Sequence, residues 1–175
     1  TFDPQEMNPV DKLRSPDGTY YFGTDNFGRD IFSRVVFGAR TSLAGSAGVI
    51  LFSLSIGVLI GVSSGYFRKI EPYLMRLIDV LMAFPPLLLA LVLVSILGRG
   101  MGNVIIAVGA TYLTRTTRIV YGLTLKLREE PYIEAAVASG VKQKWIIMKH
   151  ILPNMMSPLI VQATFTFAFS LLDMA

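Results

Sequence analysis

Long stretches without Asp, Glu, Lys or Arg divide this sequence. Three of them predict membrane-spanning helices at residues 41–65, 80–97 and 155–172. A helix needs about 20 apolar residues to cross about 30 Å of hydrocarbon, and each stretch comes close to that length or exceeds it. The pattern therefore predicts an all-α, polytopic membrane protein.

A fourth uncharged stretch, residues 100–114, is shorter. It can cross the bilayer if its helix continues past Arg115 and Arg118 and their long side chains reach the headgroups. The alternative is a re-entrant or buried segment. Because a crossing lets the other loops alternate between the two sides, we predict about four spans in this sequence.

Composition agrees with a membrane protein. Hydrophobic residues make up 53% of the chain, and the mean hydropathy is +0.56. Charged residues account for only 16%, against about 25% in typical soluble domains. A single soluble core of this size does not need so much apolar surface, whereas a bilayer accommodates it.

The charges also predict an orientation. Basic residues concentrate in residues 68–76 and 115–154, and the positive-inside rule places both loops in the cytoplasm. Residues 1–40 are then external, although they contain basic as well as acidic side chains. We predict two parts: an external segment, 1–40, and a transmembrane core, 41–175, that contains the cytoplasmic loop 115–154.

The external segment is rich in proline and glycine up to Thr24, which is typical of an extended chain with turns. Residues 31–40 predict a short amphipathic helix. Its apolar side chains, Phe32 and Val35 among them, would lie on the membrane while Arg34 faces water.

Several kinds of chemistry are excluded or disfavoured. The sequence has no cysteine, so it has no disulfides, thiol nucleophiles or thiolate metal ligands. His150 is the only histidine, which excludes a metal site built on a histidine pair. No G-x-x-x-x-G-K-S/T phosphate loop is present. We predict no catalytic residue, no metal site and no cofactor bound by this chain, and hence no enzyme.

The basic loop contains the most informative local pattern. Pro131 suits the first turn of a helix, and Gly140 suits the left-handed residue that closes one. Between them, Ala135, Ala136 and Ala138 expose little bulk. Such a short helix of small residues could dock into a groove of a partner protein, or the loop could be an ordinary connector.

A second amphipathic helix is predicted at residues 142–150. Trp145 and Ile146, with Ile147 or Met148, would line its packed side, and Lys142 and Lys149 would reach water. Pro153 would then stop or bend the chain before the next span.

Within the spans, polar and small residues allow two interpretations. Gln162 could line a transport pathway, or it could form hydrogen bonds between helices. Glycines in the first span, at positions 45, 48, 57 and 61, predict close helix contacts. Pro85 and Pro86 predict a kink in the second span.

Three motifs, in this order, resemble one known family. Gly23-Thr24-Asp25 with Gly28-Arg29-Asp30 comes first. Gly65-Tyr66-Phe67 with Phe84-Pro85 follows. Glu134-Ala135-Ala136, Gly140 and His150-Ile151-Leu152-Pro153-Asn154 form the third. Together they resemble the C-type permease subunits of binding-protein-dependent ABC importers, in the dipeptide, oligopeptide and nickel branch, and the third motif is similar to their EAA loop.

The resemblance implies specific roles for named residues. Tyr132, Glu134, Ala135, Ala136 and Gly140 would couple the chain to a partner ATPase. A second set would brace that helix against the spans: Trp145, His150, Leu152 and Pro153.

The resemblance also implies partners. They are a homologous second permease, two ATP-binding subunits that use ATP and magnesium, an external solute-binding protein and membrane lipid, with no nucleic acid. The chain would form half of a peptide or nickel pathway in a prokaryotic cytoplasmic (inner) membrane, as part of a six-span protein with a first span before Thr1 and a last span after Ala175. The alternative function is a membrane channel or scaffold without ATP coupling.

Overall fold

Helices account for nearly all regular structure in the computed structural model, which describes residues 2–174. In chain order the helices are α1 (Ile31–Tyr66), α2 (Glu71–Met82), α3 (Pro86–Leu97), α4 (Met101–Arg128), α5 (Pro131–Ala138), α6 (Gln143–Ile146), a π-helical turn (Ile147–Ile151), α7 (Leu152–Asn154) and α8 (Met156–Met174). A short 3₁₀ turn, Pro9–Asp11, precedes them, and residues 2–174 contain no strand. The predicted all-α class is therefore confirmed. The further spans expected before Thr1 and after Ala175 lie outside the described residues.

The described residues divide into two compact units, and the boundary along the chain falls between Ala44 and Gly45. In the first unit, the Gly-Thr-Asp and Gly-Arg-Asp motifs build one turn. The carboxylate of Asp25 accepts hydrogen bonds from the backbone N–H groups of Phe27 and Arg29, and from Nε of Arg29 at 2.8 Å. Thr24 and Asp30 pair across the turn as an isolated antiparallel bridge.

Asp30 starts α1. Its carboxylate accepts hydrogen bonds from the N–H groups of Phe32 and Ser33, and from the Ser33 hydroxyl at 2.6 Å. A side chain in this position satisfies N–H groups that have no partner in the first turn of a helix.

The separate amphipathic helix predicted at residues 31–40 does not occur. Those residues form the beginning of α1, which runs without interruption to Tyr66 over 36 residues. The sequence from Ile31 to Tyr66 contains no proline, so nothing breaks the backbone hydrogen bonding where the two predicted elements meet. At 1.5 Å per residue α1 is about 54 Å long, which exceeds the hydrocarbon thickness.

Two described helices, α1 and α8, are long and apolar enough to cross a membrane. The predicted span 80–97 is not one continuous helix, because α2 and α3 meet at an angle of 95°. Pro85 has extended backbone angles, and Pro86 lies in the first turn of α3. The predicted bend at the two prolines is thus confirmed, and it is a break between helices rather than a kink.

α4 covers the fourth stretch and continues past Arg115 and Arg118 to Arg128, as predicted. Residues 115–128 therefore belong to a helix rather than to an irregular loop. α4 is not among the helices that are apolar enough to be counted as spans, so the crossing at residues 100–114 stays a prediction.

In the second unit, α1 and α4 pack closely along glycines spaced four residues apart. A methyl group at Gly57 would lie 2.9 Å from the Thr116 side chain, and one at Gly61 would lie 2.7 Å from Val120. Gly65 meets Thr124 in the same way. Small residues at this spacing let helix backbones approach each other. The close contacts predicted for Gly45 and Gly48 are also present, against the side chains of Met174 and Ile105.

Polar contacts attach α2 to α4. The hydroxyl of Tyr121 donates a hydrogen bond to Oε1 of Glu71, and Arg118 forms an ion pair with Asp79. Together with the glycine contacts, they join α1, α2 and α4 near the carboxyl end of α4, just before α5.

Candidate functional site

The helix with the small residues, α5, has defined ends. Pro131 lies in its first turn, as predicted. At the other end Gly140 adopts φ +76°. The N–H of Val141 donates to the carbonyl of Ala136 at 3.1 Å, and that of Gly140 donates to Val137 at 3.0 Å. This pair of bonds is a Schellman motif, so the predicted left-handed closing glycine is confirmed.

One face of α5 is anchored in the core of the second unit. Ile133 is fully buried, and Ala136 is half-buried beside it. The buried cluster that receives Ile133 draws on α1, α4, the residues after α5, and α8: Val62, Val120, Ile146, Ile151, Met155 and Leu159. Burying one Ile side chain contributes about 1.5–3 kcal/mol, so this contact fixes α5 to the helix bundle.

The residues of α5 around this anchor are exposed. They include Glu134, Ala135, Val137 and Ala138. Among residues 2–174 the Glu134 carboxylate has no hydrogen-bond or ion-pair partner. Val137 is 55% exposed. This exposed face of α5 therefore consists of small apolar side chains and one carboxylate.

A small polar cluster ties α5 to the π-helical turn. The Tyr132 and His150 rings lie 6.2 Å apart. Nδ2 of Asn154 donates to the His150 carbonyl at 2.6 Å and to the Tyr132 hydroxyl oxygen at 3.3 Å. The structure thus brings together Tyr132 and His150, which the sequence analysis assigned to coupling and bracing respectively.

The predicted second helix has a different packed face from the one expected. Ile146 is fully buried and Ile147 is half-buried, but Trp145 is 52% exposed and Met148 is exposed as well. The reason is the π-helical turn, which brings residues five apart onto one face, so Ile146 and Ile151 are buried together.

The remaining brace residues lie around that turn. The Lys149 ammonium lies 4.4 Å from the centre of the Trp145 ring, on the outside of the loop. Leu152 is half-buried against the core cluster, whereas Pro153 is exposed in α7, two residues before the turn at Met155. The bracing roles of all four residues, Trp145, His150, Leu152 and Pro153, stay predictions.

Gln162 lies on the packed face of α8, with Leu159, Thr166 and Ser170. It is 6% exposed, and its Nε2 donates to Oγ1 of Thr166 at 3.3 Å. This environment favours the helix-packing interpretation within this chain. The pathway interpretation stays a prediction.

Two residues that position α5 were missed by the sequence analysis. Ile133 is the large aliphatic residue among small ones in α5, and that contrast is a signal that could have identified it. Arg128 ends α4, and its Nη1 donates to the carbonyls of Gly65 and Tyr66 at 3.1 and 3.4 Å. No sequence pattern links Arg128 to residues so distant along the chain.

The arrangement defines a class of protein. A bundle of apolar helices holds one short helix through a buried anchor and presents its other face for contact. The molecule is therefore a polytopic helical membrane protein in which one short helix is anchored by a buried side chain and otherwise exposed.

Comparison with known proteins identifies the family. Residues 53–175 match the family of binding-protein-dependent transport system inner membrane components, and the chain belongs to that family. This match confirms the resemblance that the sequence motifs indicated.

Curated relatives agree. The chain is 42% identical, over 97% of its length, to a dipeptide transport system permease protein of Alkalihalophilus pseudofirmus. It is 36% identical to a glutathione transport system permease protein of Pectobacterium atrosepticum over 99% of its length, and 36% identical to an oligopeptide transport system permease protein of Haemophilus influenzae over 94%. The chain spans 56%, 58% and 53% of these relatives, respectively.

Proposed function

We propose that this chain is the permease subunit of an ATP-driven importer for peptides and forms half of its translocation pathway. The main observation behind the proposal is that α5 is anchored to the helix bundle on one side and exposed elsewhere. Ile133 fixes the helix to the bundle, Gly140 closes it, and its exposed face is open to a partner. Family membership supports the same function.

Energy for transport would come from a separate subunit, since this sequence contains no phosphate-binding loop. The remaining partners are a homologous second permease, two ATP-binding subunits, an external solute-binding protein and membrane lipid. The complex would reside in a prokaryotic cytoplasmic membrane. The named transport roles of the relatives concern dipeptides, oligopeptides and glutathione, which favours peptides over nickel as cargo.

In this function the exposed face of α5 enters a groove on an ATP-binding subunit. Ala135 and Ala138 permit close approach, Val137 contributes apolar contact, and the free carboxylate of Glu134 meets a donor in the groove. Losing a hydrogen bond to a charged group costs about 1.5–3 kcal/mol, which corresponds to roughly a tenfold or greater change in an equilibrium constant.

The experiment uses the complete complex in reconstituted vesicles, with ATP turnover measured with and without cargo-loaded binding protein. Glu134→Ala and Ala135→Trp should lower the stimulated turnover roughly tenfold and leave basal hydrolysis unchanged. Glu129→Ala is the matched control, because Glu129 is an exposed carboxylate just before α5. Normal stimulation in both α5 variants would make this loop an ordinary connector.

Cargo is tested in the same vesicles. Labelled dipeptides and oligopeptides should accumulate only with ATP, and nickel should not. Accumulation of nickel alone would reassign the cargo. Passive, ATP-independent passage would support the alternative of a channel, and the absence of any flux with an intact complex would support a scaffold.

A further inference from the structure

The last turn of α1 receives its cation from another helix, although Arg68 and Lys69 follow Tyr66 in the sequence. The last carbonyls of a helix have no partner within it, and the helix dipole places partial negative charge there. No basic residue occurs in the last turn of α1. The structure supplies one from another helix, because Nη1 of Arg128 donates to the carbonyls of Gly65 at 3.1 Å and Tyr66 at 3.4 Å.

Arg128 also lies at the joint that leads into α5. It is the last residue of α4, and Pro131 begins α5 after only two residues. Hydrogen bonds hold that joint: the N–H of Glu130 donates to Leu127, and the N–H of Ile133 donates to Glu130 at 2.9 Å. A short, hydrogen-bonded turn therefore joins Arg128 to α5.

Half-buried Arg128 is next to a close contact between α1 and α4. A methyl group at Gly65 would lie 2.6 Å from Cβ of Thr124, one turn of α4 before Arg128. The end of α1 is thus held on one side by backbone contact with α4 and on the other by the guanidinium group.

From this geometry we propose that Arg128 is a positioning residue that links α5 to the end of α1, so that movement of α5 displaces the first described span together with α4. The proposal rests on the function proposed above, since it assigns a route by which the partner ATPase reaches the membrane helices. Arg128 itself touches neither cargo nor nucleotide in this role.

Side-chain chemistry specifies the expected order of variants. The guanidinium of arginine is always charged, planar and able to donate several hydrogen bonds in a fixed geometry. Lysine instead has a compact ammonium group at the end of a flexible chain. Arg128→Met removes the cap and the charge but retains an unbranched side chain. Arg128→Lys retains charge at the helix end and should restore part of the function.

Lys126→Met is the matched control. Lys126 lies in the same last turn of α4, is exposed, and loses the same charge on substitution. Arg128→Met should reduce peptide uptake per ATP hydrolysed by roughly tenfold, the effect of losing one charged hydrogen bond. Arg128→Lys should fall between it and the wild type, and Lys126→Met should match the wild type.

The test uses the complete reconstituted complex and records four quantities: the amount of assembled complex, its thermal midpoint, ATP turnover and peptide uptake. A positioning role predicts normal assembly and turnover with a reduced ratio of uptake to turnover. A purely structural role would instead lower assembly or the thermal midpoint while leaving that ratio unchanged, and this result would overturn the proposal. An unchanged ratio with full stability would also overturn it.

Failure of the proposed function has a different signature. If the wild-type complex shows no ATP-dependent uptake, the function is wrong regardless of Arg128. If the wild type transports peptides and Glu134→Ala uncouples it while Arg128→Met does not, the function stands and the Arg128 link alone is wrong.

Discussion

Single residues determine how α5 is presented. Ile133 anchors the helix and Gly140 ends it. The small side chains of Ala135 and Ala138 leave room for another molecule to approach its exposed face closely. The roles of Pro131 and Gly140 were predictable from sequence because they are local: proline lacks an N–H, and glycine tolerates positive φ. The π-helical turn after α6 was not predictable, because it has no comparable local signal, and neither was the exposed position of Trp145.

Gly140 provides a test at this scale. Its φ of +76° is unfavourable for residues with a Cβ, although no atom would contact an added methyl group. Gly140→Ala should therefore destabilise the end of α5 by about 1–2 kcal/mol through backbone strain alone. Hydrogen exchange of the Val141 amide measures this opening. Gly122→Ala is the control, since Gly122 also has open space but lies within α4; equal effects of the two substitutions would contradict the interpretation.

Asp25 gives a pH-dependent test. Burial opposes its ionisation, but hydrogen bonds from the side chain and N–H of Arg29 and from the N–H of Phe27 outweigh burial and hold the pKa of Asp25 well below its usual range. Because the folded-state pKa is lowered, the stabilisation is fully present above the unfolded pKa of about 3.9 and is lost as the pH falls through the folded value.

Asp25→Asn should therefore speed amide exchange at Phe27 and Arg29 at pH 7. The difference from the wild type should shrink as the pH is lowered below about 3.9. Glu6→Gln, at an exposed carboxyl in the same unit, should have no effect. A difference of constant size from pH 7 to pH 3 would refute the assignment.

At the scale of elements, the sequence predicted where helices exist better than where they end. Spacing between charges located α1, α4 and α8, because desolvating a charge in hydrocarbon is costly. It failed at residues 31–40, where no breaker separates two predicted helices, and at Pro85, where the break is larger than a kink. Charge spacing cannot report these boundaries, since they depend on backbone hydrogen bonding.

The contact between α1 and α4 can be tested with one glycine. A methyl group at Gly61 would lie 2.7 Å from Cβ of Val120 and 2.8 Å from the carbonyl oxygen of Thr117. Gly61→Ala should destabilise the protein by about 1–3 kcal/mol because the helices must separate. Gly38→Ala is the control within α1, where an added methyl group meets no atom within 4 Å. Thermal unfolding of the purified complex distinguishes them, and equal midpoints would show that the contact is loose.

At the scale of the whole molecule, the family could be predicted from three motifs, but the pathway could not. In the proposed complex the pathway would depend on side chains of a second permease, so the packed position of Gln162 in one chain does not identify its role there. The described part also contains two apolar spans, or three if the bent pair α2 and α3 is one. The orientation of these spans is a separate, testable prediction.

Because the sequence has no cysteine, single cysteines report topology without background. A cysteine at Asp17 should react with an impermeant thiol reagent in intact cells, and one at Lys142 should react only after the membrane is opened. Both positions carry polar side chains, and Lys142 is exposed. The reverse labelling pattern would overturn the positive-inside assignment.

The proposed function requires the exposed face of α5 to contact an ATP-binding subunit. The most direct measurement is photo-cross-linking in the complete membrane complex, with a benzophenone amino acid at Val137 and, as a control, at Leu59, which is 67% exposed on α1. Position 137 should give a cross-link to the ATP-binding subunit, and position 59 should give none to it, since a span faces lipid or another permease. If position 137 cross-links only to the second permease, or to no protein in an actively transporting complex, α5 is not the coupling helix and the account is wrong.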